Sequence, residues 1–158
     1  MQAAEGAQAT LLGSTPGHTV MPSARKATCV VVGAGARTSI TGLLEAVKPR
    51  LVADFGRPLD AFEDPQFLRY RAGDYFVAHQ DGNTPLVNDE SRFRRISVVI
   101  FISAPGTFGG GSLVLHGDHP LTLAPAPGTL VAFPSETTHE VLPITHGERL
   151  SIVSWYRG

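Results

Sequence analysis

Apolar residues between Ser39 and Phe55 recur every three or four positions, which is the period of one helical face. This spacing predicts an amphipathic helix. Thr38 and Ser39 are both suitable caps for its start, and Gly56 is suited to end it. Pro49 lies inside the segment, so we expect it to kink the helix or to split it in two. The apolar positions are Ile40, Leu43, Leu44, Val47, Leu51, Val52 and Phe55.

From about residue 65 onward the chain changes to short runs of β-branched and aromatic residues, separated by turn sequences such as AGD, HGD, PAPG and THGE. A further run, TCVVVG (28–33), precedes the helix and also predicts a strand. Many short strands at close spacing are typical of a sandwich or barrel, and a jelly roll fits their number. The main runs are QFLRYR (66–71), DYFVAH (74–79), ISVVIFIS (96–103), SLVLH (112–116), PLTLA (120–124), GTLVAF (128–133), HEVLPI (139–144) and RLSIVSWY (149–156).

The predicted elements divide the chain into an arm and one domain. Residues 1–24 are rich in Ala, Gly, Ser, Thr and Pro, and we interpret them as a loose N-terminal arm. Residues 25–158 are predicted to form a single domain, mainly β, with the helical segment packed on it. The longest irregular connection is residues 81–95, and such a length is typical of a functional or mobile loop. The connection contains three arginines, Arg92, Arg94 and Arg95. They belong either to an ordinary solvated loop or to a positive charge that steers a substrate.

Composition restricts the classes of function. The 158 residues include 42% apolar and 17% charged residues, as in globular proteins. The net charge of −1 gives no electrostatic reason to expect a nucleic-acid partner. No run approaches the length of a membrane span, and the N-terminus lacks the basic and apolar regions of a signal peptide. The single cysteine, Cys29, excludes an internal disulfide. We therefore expect a cytoplasmic protein with no membrane partner.

Two histidine–aspartate pairs stand out among the polar residues. His79 and Asp81 follow an apolar run, and residues two apart in a strand point to the same face. His116 and Asp118 flank a glycine, and we interpret them as the tip of a hairpin whose aspartate binds turn backbone. His139 opens a distant predicted strand and is the best candidate to join the first pair. Two imidazoles and one carboxylate on one face of an iron(II) ion leave positions open for O2 and an organic co-substrate.

Arg149 lies ten positions after His139, just past the THGE turn. We expect that turn to lay the two strands side by side and bring Arg149 close to the metal. A guanidinium there can hold a carboxylate through two parallel hydrogen bonds. The carboxylate would be the far end of 2-oxoglutarate.

From about Phe67 to Trp155 the chain resembles the prolyl 4-hydroxylase-like branch of the 2-oxoglutarate and Fe(II)-dependent dioxygenases. The resemblance rests on YRAGDYFVAHQD, RISVVIFIS, FGGGSLVL, PGTLVAFPSETTHEVLPITHGER and SIVSWY. It implies a double-stranded β-helix, the jelly-roll form of the fold. It also implies Fe(II), 2-oxoglutarate and O2, with ascorbate as reductant, and hydroxylation of a prolyl residue in a protein or peptide.

Residue by residue, the resemblance implies that His79, Asp81 and His139 are catalytic iron ligands. It implies Arg149 as the 2-oxoglutarate anchor, and Tyr70 as a residue that lines the co-substrate pocket. One position departs from the pattern, because Phe101 stands where relatives often have a tyrosine. The hydrogen bond that this tyrosine would give to 2-oxoglutarate is therefore either absent or supplied from elsewhere, with Thr129 and Ser151 as the candidates.

Two alternatives stay open at this point. The same chemistry could act on a free amino acid or another small molecule, because the strand residues do not determine the substrate. The chain could also be a non-catalytic jelly-roll module that only binds a metal. Arg149 counts against the module, since a purely structural metal site needs no carboxylate clamp.

Overall fold

The structure, a computed structural model, describes residues 24–86 and 88–158. One helix, α1 (Ala34–Phe55), and a short 3-10 helix (Glu90–Phe93) accompany the strands. The strands are β1 (Arg25–Lys26), β2 (Thr28–Cys29), β3 (Gln66–Arg71), β4 (Tyr75–His79), β5 (Arg94–Phe101), β6 (Phe108–Gly110), β7 (Leu113–Leu115), β8 (Leu121–Leu123), β9 (Leu130–Pro134), β10 (His139–Val141) and β11 (Ile144–Arg157).

The strands form two antiparallel sheets. One sheet has the order β1-β4-β10-β7-β8 and the other has the order β2-β3-β11-β5-β9, with β6 paired to β11. Side chains from both sheets meet in one buried cluster, to which Phe76 and Leu113 come from the first sheet and Val99 and Phe133 from the second. The mainly β jelly roll predicted from the sequence is confirmed.

Strand β5 shows why the sequence runs apolar without alternation. Val99 faces the other sheet, whereas Ile96 and Val98 pack under helix α1 against Leu44 and Tyr156. A strand covered on both faces needs apolar side chains on both. The helical segment is therefore packed on the outer face of the second sheet, as predicted.

Helix α1 begins at Ala34, five residues before the predicted start, with Gly33 as its N-cap. Ser39 lies inside the helix, where its hydroxyl donates to the Gly35 carbonyl. The first turn was missed because it lies mostly in solvent and has no apolar periodicity. Pro49 is contained within one continuous helix, so the alternative of two helices is wrong. Gly56 ends the helix in the left-handed conformation, with φ of 60°, as predicted.

The THGE sequence is not a turn but part of β11. Residues 144–147 pair with β6, from Ile144 opposite Gly110 to Gly147 opposite Phe108. The left-handed φ of 74° at Gly147 accommodates an irregular register inside the strand. Strands β10 and β11 consequently belong to different sheets, and the prediction that they lie side by side is wrong.

The loop predicted over residues 81–95 is shorter in the structure. The 3-10 helix occupies residues 90–93, and Arg94 already belongs to β5. Arg94 is buried, forms an ion pair with Glu63 and lies 3.9 Å from the centre of the Trp155 ring. It is therefore neither a solvated loop residue nor a free charge for steering. Within the described residues, no helix is both long and apolar enough to cross a membrane.

Candidate active site

The three predicted ligands come together at the ends of two paired strands. His79 closes β4 and lies opposite His139, which opens β10. Asp81 follows β4 by two residues, so its carboxylate lies between the two rings. Its Oδ1 is 3.2 Å from His79 Nε2, and its Oδ2 is 3.4 Å from His139 Nε2. Over residues 24–86 and 88–158, this is the one cluster of donor atoms that could hold a metal, all lying within 4.8 Å of one another.

Backbone carbonyls fix the orientation of both rings. His79 Nδ1 lies 2.7 Å from the Val77 carbonyl oxygen, and His139 Nδ1 lies 2.9 Å from that of Thr137. A carbonyl oxygen can only accept, so each Nδ1 donates a proton to it. Neutral rings bound in this way present the lone pair of Nε2 to the shared space, which is the arrangement of a metal-ligating histidine.

Asp81 is buried and held by hydroxyl groups. Ser97 Oγ donates to its Oδ2 at 2.7 Å, and Ser135 Oγ lies 3.0 Å from Ser97 Oγ. Burial alone would raise the pKa of Asp81, but the neighbouring His139 and His79 and the bond from Ser97 lower it below its ordinary value. The carboxyl group is therefore ionised.

Burial dominates at His139 and lowers its pKa, against the opposing charge of Asp81. A neutral imidazole is the form that binds metals.

These donors fit a divalent cation. Each Nε2 lies 3.2–3.4 Å from an oxygen of the Asp81 carboxylate. Once both Nε2 atoms are deprotonated, as metal binding requires, two nitrogen lone pairs and an anionic carboxylate face the same space. Such acceptors repel one another unless a cation lies between them. Two imidazoles, one carboxylate and no nearby thiolate suit iron(II) better than a structural zinc site.

Arg149 provides a second feature of the same cavity. It lies on β11 directly opposite Tyr70, and its guanidinium carbon is 5.2 Å from the Tyr70 ring centre and 5.1 Å from that of Phe101. Its Nη1 donates to Ser151 Oγ at 3.0 Å. Its Nε and Nη2 are buried and have no hydrogen-bond partner among the described residues. Burial lowers the pKa of Arg149 because it disfavours the charged form of the guanidinium. An anionic ligand beside it would favour the charged form again.

The run of three glycines leaves space for this arginine. A Cβ at Gly111 would lie 2.1 Å from Ile144 Cδ1 and 3.1 Å from Arg149 Cδ. Gly111 also has a left-handed φ of 67°, which other residues rarely adopt. The FGGG sequence therefore lets β6 and the segment after it approach β11 without displacing the guanidinium.

One cavity between the sheets joins these features. Its lining includes the three candidate ligands, Arg149, Tyr70 and Ser151, but not Thr129. The remaining lining is largely apolar and includes Leu68, Phe76, Leu113, Val141, Val153 and Trp155. Arg149 thus reaches the metal cluster's cavity across the gap between two sheets.

Sequence reasoning missed three polar residues of this site. Arg25, on β1, lines the cavity and lies 4.8 Å from the centre of the Phe76 ring. Ser97 and Ser135 hold Asp81. A signal existed for Ser97, because it is a small polar residue within the apolar run ISVVIF. Arg25 opens a strand of only two residues, which no periodicity can reveal.

The second histidine–aspartate pair is separate from the site. His116 Nε2 lies 2.8 Å from Glu140 Oε1, and Asp118 is exposed in a bend. Neither belongs to the metal-binding cluster. Their interpretation as a hairpin tip agrees with this placement.

Solved structures of prolyl hydroxylases share the fold. A Pseudomonas putida prolyl-4-hydroxylase superposes with a TM-score of 0.70 at 24% identity, over 89% of this chain and 76% of that one. A Trichoplax adhaerens prolyl hydroxylase in complex with a hypoxia inducible factor peptide gives 0.73 at 18% identity, over 95% and 70%. The viral collagen prolyl hydroxylase of Paramecium Bursaria Chlorella virus-1 gives 0.67 at 25% identity, over 87% and 82%.

Curated relatives match about three fifths of the chain. A PKHD-type hydroxylase of Shewanella sp. (strain MR-7) is 36% identical over 97 residues, which is 60% of this chain and 42% of the relative. Another from Stenotrophomonas maltophilia (strain R551-3) is 38% identical over 95 residues, or 58% and 41%. The chain spans about two fifths of the length of these relatives.

The family profile of the 2OG-Fe(II) oxygenase superfamily matches residues 65–157, which contain the metal cluster and Arg149. That match covers more than half of the chain. It shows that the chain belongs to the 2OG-Fe(II) oxygenase superfamily, and solved prolyl hydroxylases share its fold.

Proposed function

We propose that this chain is an Fe(II)- and 2-oxoglutarate-dependent dioxygenase that hydroxylates a C–H bond, with a prolyl residue of a protein or peptide as the first candidate substrate. One observation carries the proposal. A single buried cavity holds both a His–Asp–His cluster and an arginine with two N–H groups that have no partner among the described residues. Neither feature alone would distinguish an oxygenase from a metal-binding module.

In this proposal His79, Asp81 and His139 hold iron(II) through Nε2, a carboxylate oxygen and Nε2. Arg149 binds the far carboxylate of 2-oxoglutarate, with the Tyr70 ring against its guanidinium. When bound, iron(II) supplies the O2 chemistry, in which 2-oxoglutarate is converted to succinate and CO2 as the substrate is hydroxylated.

The protein itself binds, orients and excludes water. The carbonyls of Val77 and Thr137 hold the rings, so that their Nε2 atoms need no reorientation when the metal arrives. The apolar lining excludes water, and this strengthens the attraction between Arg149 and a carboxylate. In this chemistry no side chain is required to transfer a proton. The cavity residues that the structure describes therefore need no acid–base pair besides the candidate metal ligands.

The prolyl substrate is supported by the names of the structural neighbours, among them a prolyl-4-hydroxylase and a collagen prolyl hydroxylase. A free amino acid or other small molecule remains the alternative substrate. The cytoplasmic location, the use of ascorbate and the single domain over residues 25–158 belong to the proposal. The non-catalytic module is disfavoured by the buried Arg149 clamp.

The test is turnover of 2-oxoglutarate by the purified protein with iron(II) and ascorbate. A panel of prolyl peptides, free proline and other amino acids would be supplied as substrates. We expect succinate in proportion to a product that has gained one oxygen atom, and no coupled product from the His139→Ala variant. Coupled hydroxylation of free amino acids alone would support the alternative substrate. Absence of succinate with every substrate, although iron binds, would favour the non-catalytic module.

A further inference from the structure

We propose that Glu136 is a positioning residue for the iron site. It holds the turn before His139 and the segment around Asp81 in a fixed position relative to each other. This inference rests on the proposed function, because it takes His79, Asp81 and His139 as the iron ligands. Glu136 lies in the turn between β9 and β10, three residues before His139. It contacts none of the ligands itself.

Glu136 is bonded to both sides of Asp81. Gln80 Nε2 donates to the Glu136 main-chain oxygen at 2.7 Å. Asn83 Nδ2 donates to its carboxylate Oε2 at 3.2 Å. Between these two contacts, the main-chain N–H groups of Asp81 and Gly82 both donate to the Ser135 carbonyl, at 2.9 and 3.1 Å. The turn before His139 and the segment around Asp81 are therefore fastened together by four hydrogen bonds.

Arg57 fixes the outer end of this connection. It follows the helix-ending Gly56, and its guanidinium pairs with both carboxylate oxygens of Glu136. The same Nη1 also donates to the Arg95 carbonyl at 3.2 Å, at the start of β5. Glu136 consequently joins helix α1, strand β5 and the Asp81 segment to the turn that carries His139.

Steric limits also confine the Asp81 segment. Asn83 has a left-handed φ of 54°, a conformation that asparagine adopts more readily than most residues other than glycine. Gly82 has no space for a side chain, since a Cβ there would lie 2.1 Å from the Ser91 carbonyl oxygen. The segment is therefore confined by Ser91 on one side and by Ser135 and Glu136 on the other.

A purely structural role predicts a different outcome. The side chains of Arg57 and Glu136 are 31% and 32% exposed. Ion pairs this accessible contribute little to stability, so a structural role predicts a small change in melting temperature and no change in iron affinity. A positioning role predicts a loss of iron affinity that exceeds any loss of stability, because the Glu136 side chain holds the segment that carries Asp81 through Asn83.

The experiment is anaerobic titration calorimetry of iron(II) into the metal-free protein, with melting temperatures measured in parallel. We expect Glu136→Ala to raise the Kd for iron(II) by up to about tenfold, the lower bound for direct partners of metal ligands, because Glu136 acts through Asn83 and not on a ligand itself. Glu136→Gln, which keeps one acceptor oxygen, should recover part of the loss. The matched control is Asp54→Ala, which removes another arginine–carboxylate pair from the same helix end, with Arg50 Nε at 2.7 Å. It should bind iron like the wild type.

A second variant covers the case in which Glu136→Ala fails to fold. Asn83→Gly keeps the left-handed backbone and removes only the amide donor to Glu136, so it should also weaken iron binding. Wild-type Kd in both Glu136→Ala and Asn83→Gly would overturn the positioning role while leaving the proposed function intact. Equal losses in Asp54→Ala would overturn it as well. A wild-type protein that binds no iron(II) would overturn the proposed function itself, and the positioning role with it.

Discussion

Replacing Arg149 with glutamine tests whether this residue is the 2-oxoglutarate anchor. The guanidinium is buried, with only 2% of the residue exposed, and Nε and Nη2 have no partner among the described residues. Glutamine reaches less far, carries no charge and cannot form the two parallel bonds. The variant should therefore bind iron as before but bind 2-oxoglutarate weakly.

The expected magnitude follows from the two N–H groups. A hydrogen bond to a charged group contributes about 1.5–3 kcal/mol. Since about 1.4 kcal/mol corresponds to a tenfold change in Kd, losing one bond weakens binding about tenfold to a hundredfold. Losing both weakens it further. The apparent KM for 2-oxoglutarate should rise by at least these factors.

Thermal unfolding gives a readout that needs no turnover. Under anaerobic conditions with iron(II), 2-oxoglutarate at a hundred times its Kd stabilises the wild type by about 2.7 kcal/mol. If Arg149→Gln weakens binding a hundredfold, the same concentration stabilises the variant by only about 0.4 kcal/mol. Without ligand, the variant should be as stable as the wild type or more so, because the cost of a buried charge with no anionic partner among the described residues outweighs its bond to Ser151 and its contacts with two rings.

The matched control is Arg71→Gln, one strand position beyond Tyr70. Arg71 is exposed and pairs with Glu148 at 2.7 Å, so its loss should alter neither the KM nor the stabilisation by 2-oxoglutarate. Unchanged 2-oxoglutarate affinity in Arg149→Gln would refute the anchor. A marked drop in stability without ligand would show that the two N–H groups have partners after all.

Four further predictions concern the metal, the backbone, the loop and the pH. Asp81→Asn should lower iron affinity by more than a hundredfold, since a direct ligand matters more than its neighbours, whereas the exposed Asp118→Asn should change neither iron content nor succinate formation. Gly82→Ala should lower the free energy of unfolding by about 1–3 kcal/mol in denaturant titrations, because its Cβ would collide with a carbonyl oxygen. The loop of residues 82–89 is expected to close over the substrate as a lid. Limited proteolysis within it should therefore slow when the true substrate is bound, and equal cleavage rates with and without substrate would exclude a lid. Burial would raise the pKa of Glu136, but the bonds from its arginine and asparagine partners lower it. The ionised Glu136 therefore stabilises the fold above the ordinary carboxyl pKa, and this contribution is lost as the pH falls through the lowered pKa. In Glu136→Gln the free energy of unfolding should consequently fall less steeply with decreasing pH in the acid range.

Periodicity predicted the central strands well because their burial is decided locally. Each end of β3 and β5 differs from the predicted run by two residues at most, since each run is rich in apolar residues over at least six positions. Strands β1 and β6 were missed because they have two and three residues. Such short strands exist only because a neighbouring strand completes them, and a local pattern contains no record of that neighbour.

The metal cluster was predictable for a different reason. His79 and Asp81 are only two apart, so their closeness was predictable, although Asp81 lies beyond the end of β4. His139 was chosen because it opens a distant predicted strand; the resemblance agreed, and the register of β4 with β10 displays the pairing. Arg149 lines the same cavity as the metal cluster, but the hairpin that was predicted to bring it there does not form. The intervening residues extend β11 instead of pairing it with β10.

Glu136 and Ser135 lay beyond sequence reasoning. Both are ordinary turn residues in PSETTH, where serine and glutamate are common on solvated surfaces. Their roles depend on contacts with Asp81 and Asn83, more than fifty residues earlier in the chain. Only the folded structure shows that this turn lies against the Asp81 segment.

The polar residues of the site occupy only some of the inward positions on the core strands, so they weaken the packing of the core in one region and not throughout. On β11 the residues Arg149, Ser151, Val153 and Trp155 are spaced by two and all line the cavity. The polar pair lies at one end of this inward face and the apolar pair at the other. Each buried polar group weakens the core unless it is paired. At the apolar end, Trp155 lies opposite Ser97 of β5, which also lines the cavity, so the loss is limited to the cavity. On β5, Ser97 is the one inward polar residue, and it is bonded to Asp81. A polar residue at an inward position of an otherwise apolar strand thus marks the site in this chain more reliably than any single histidine.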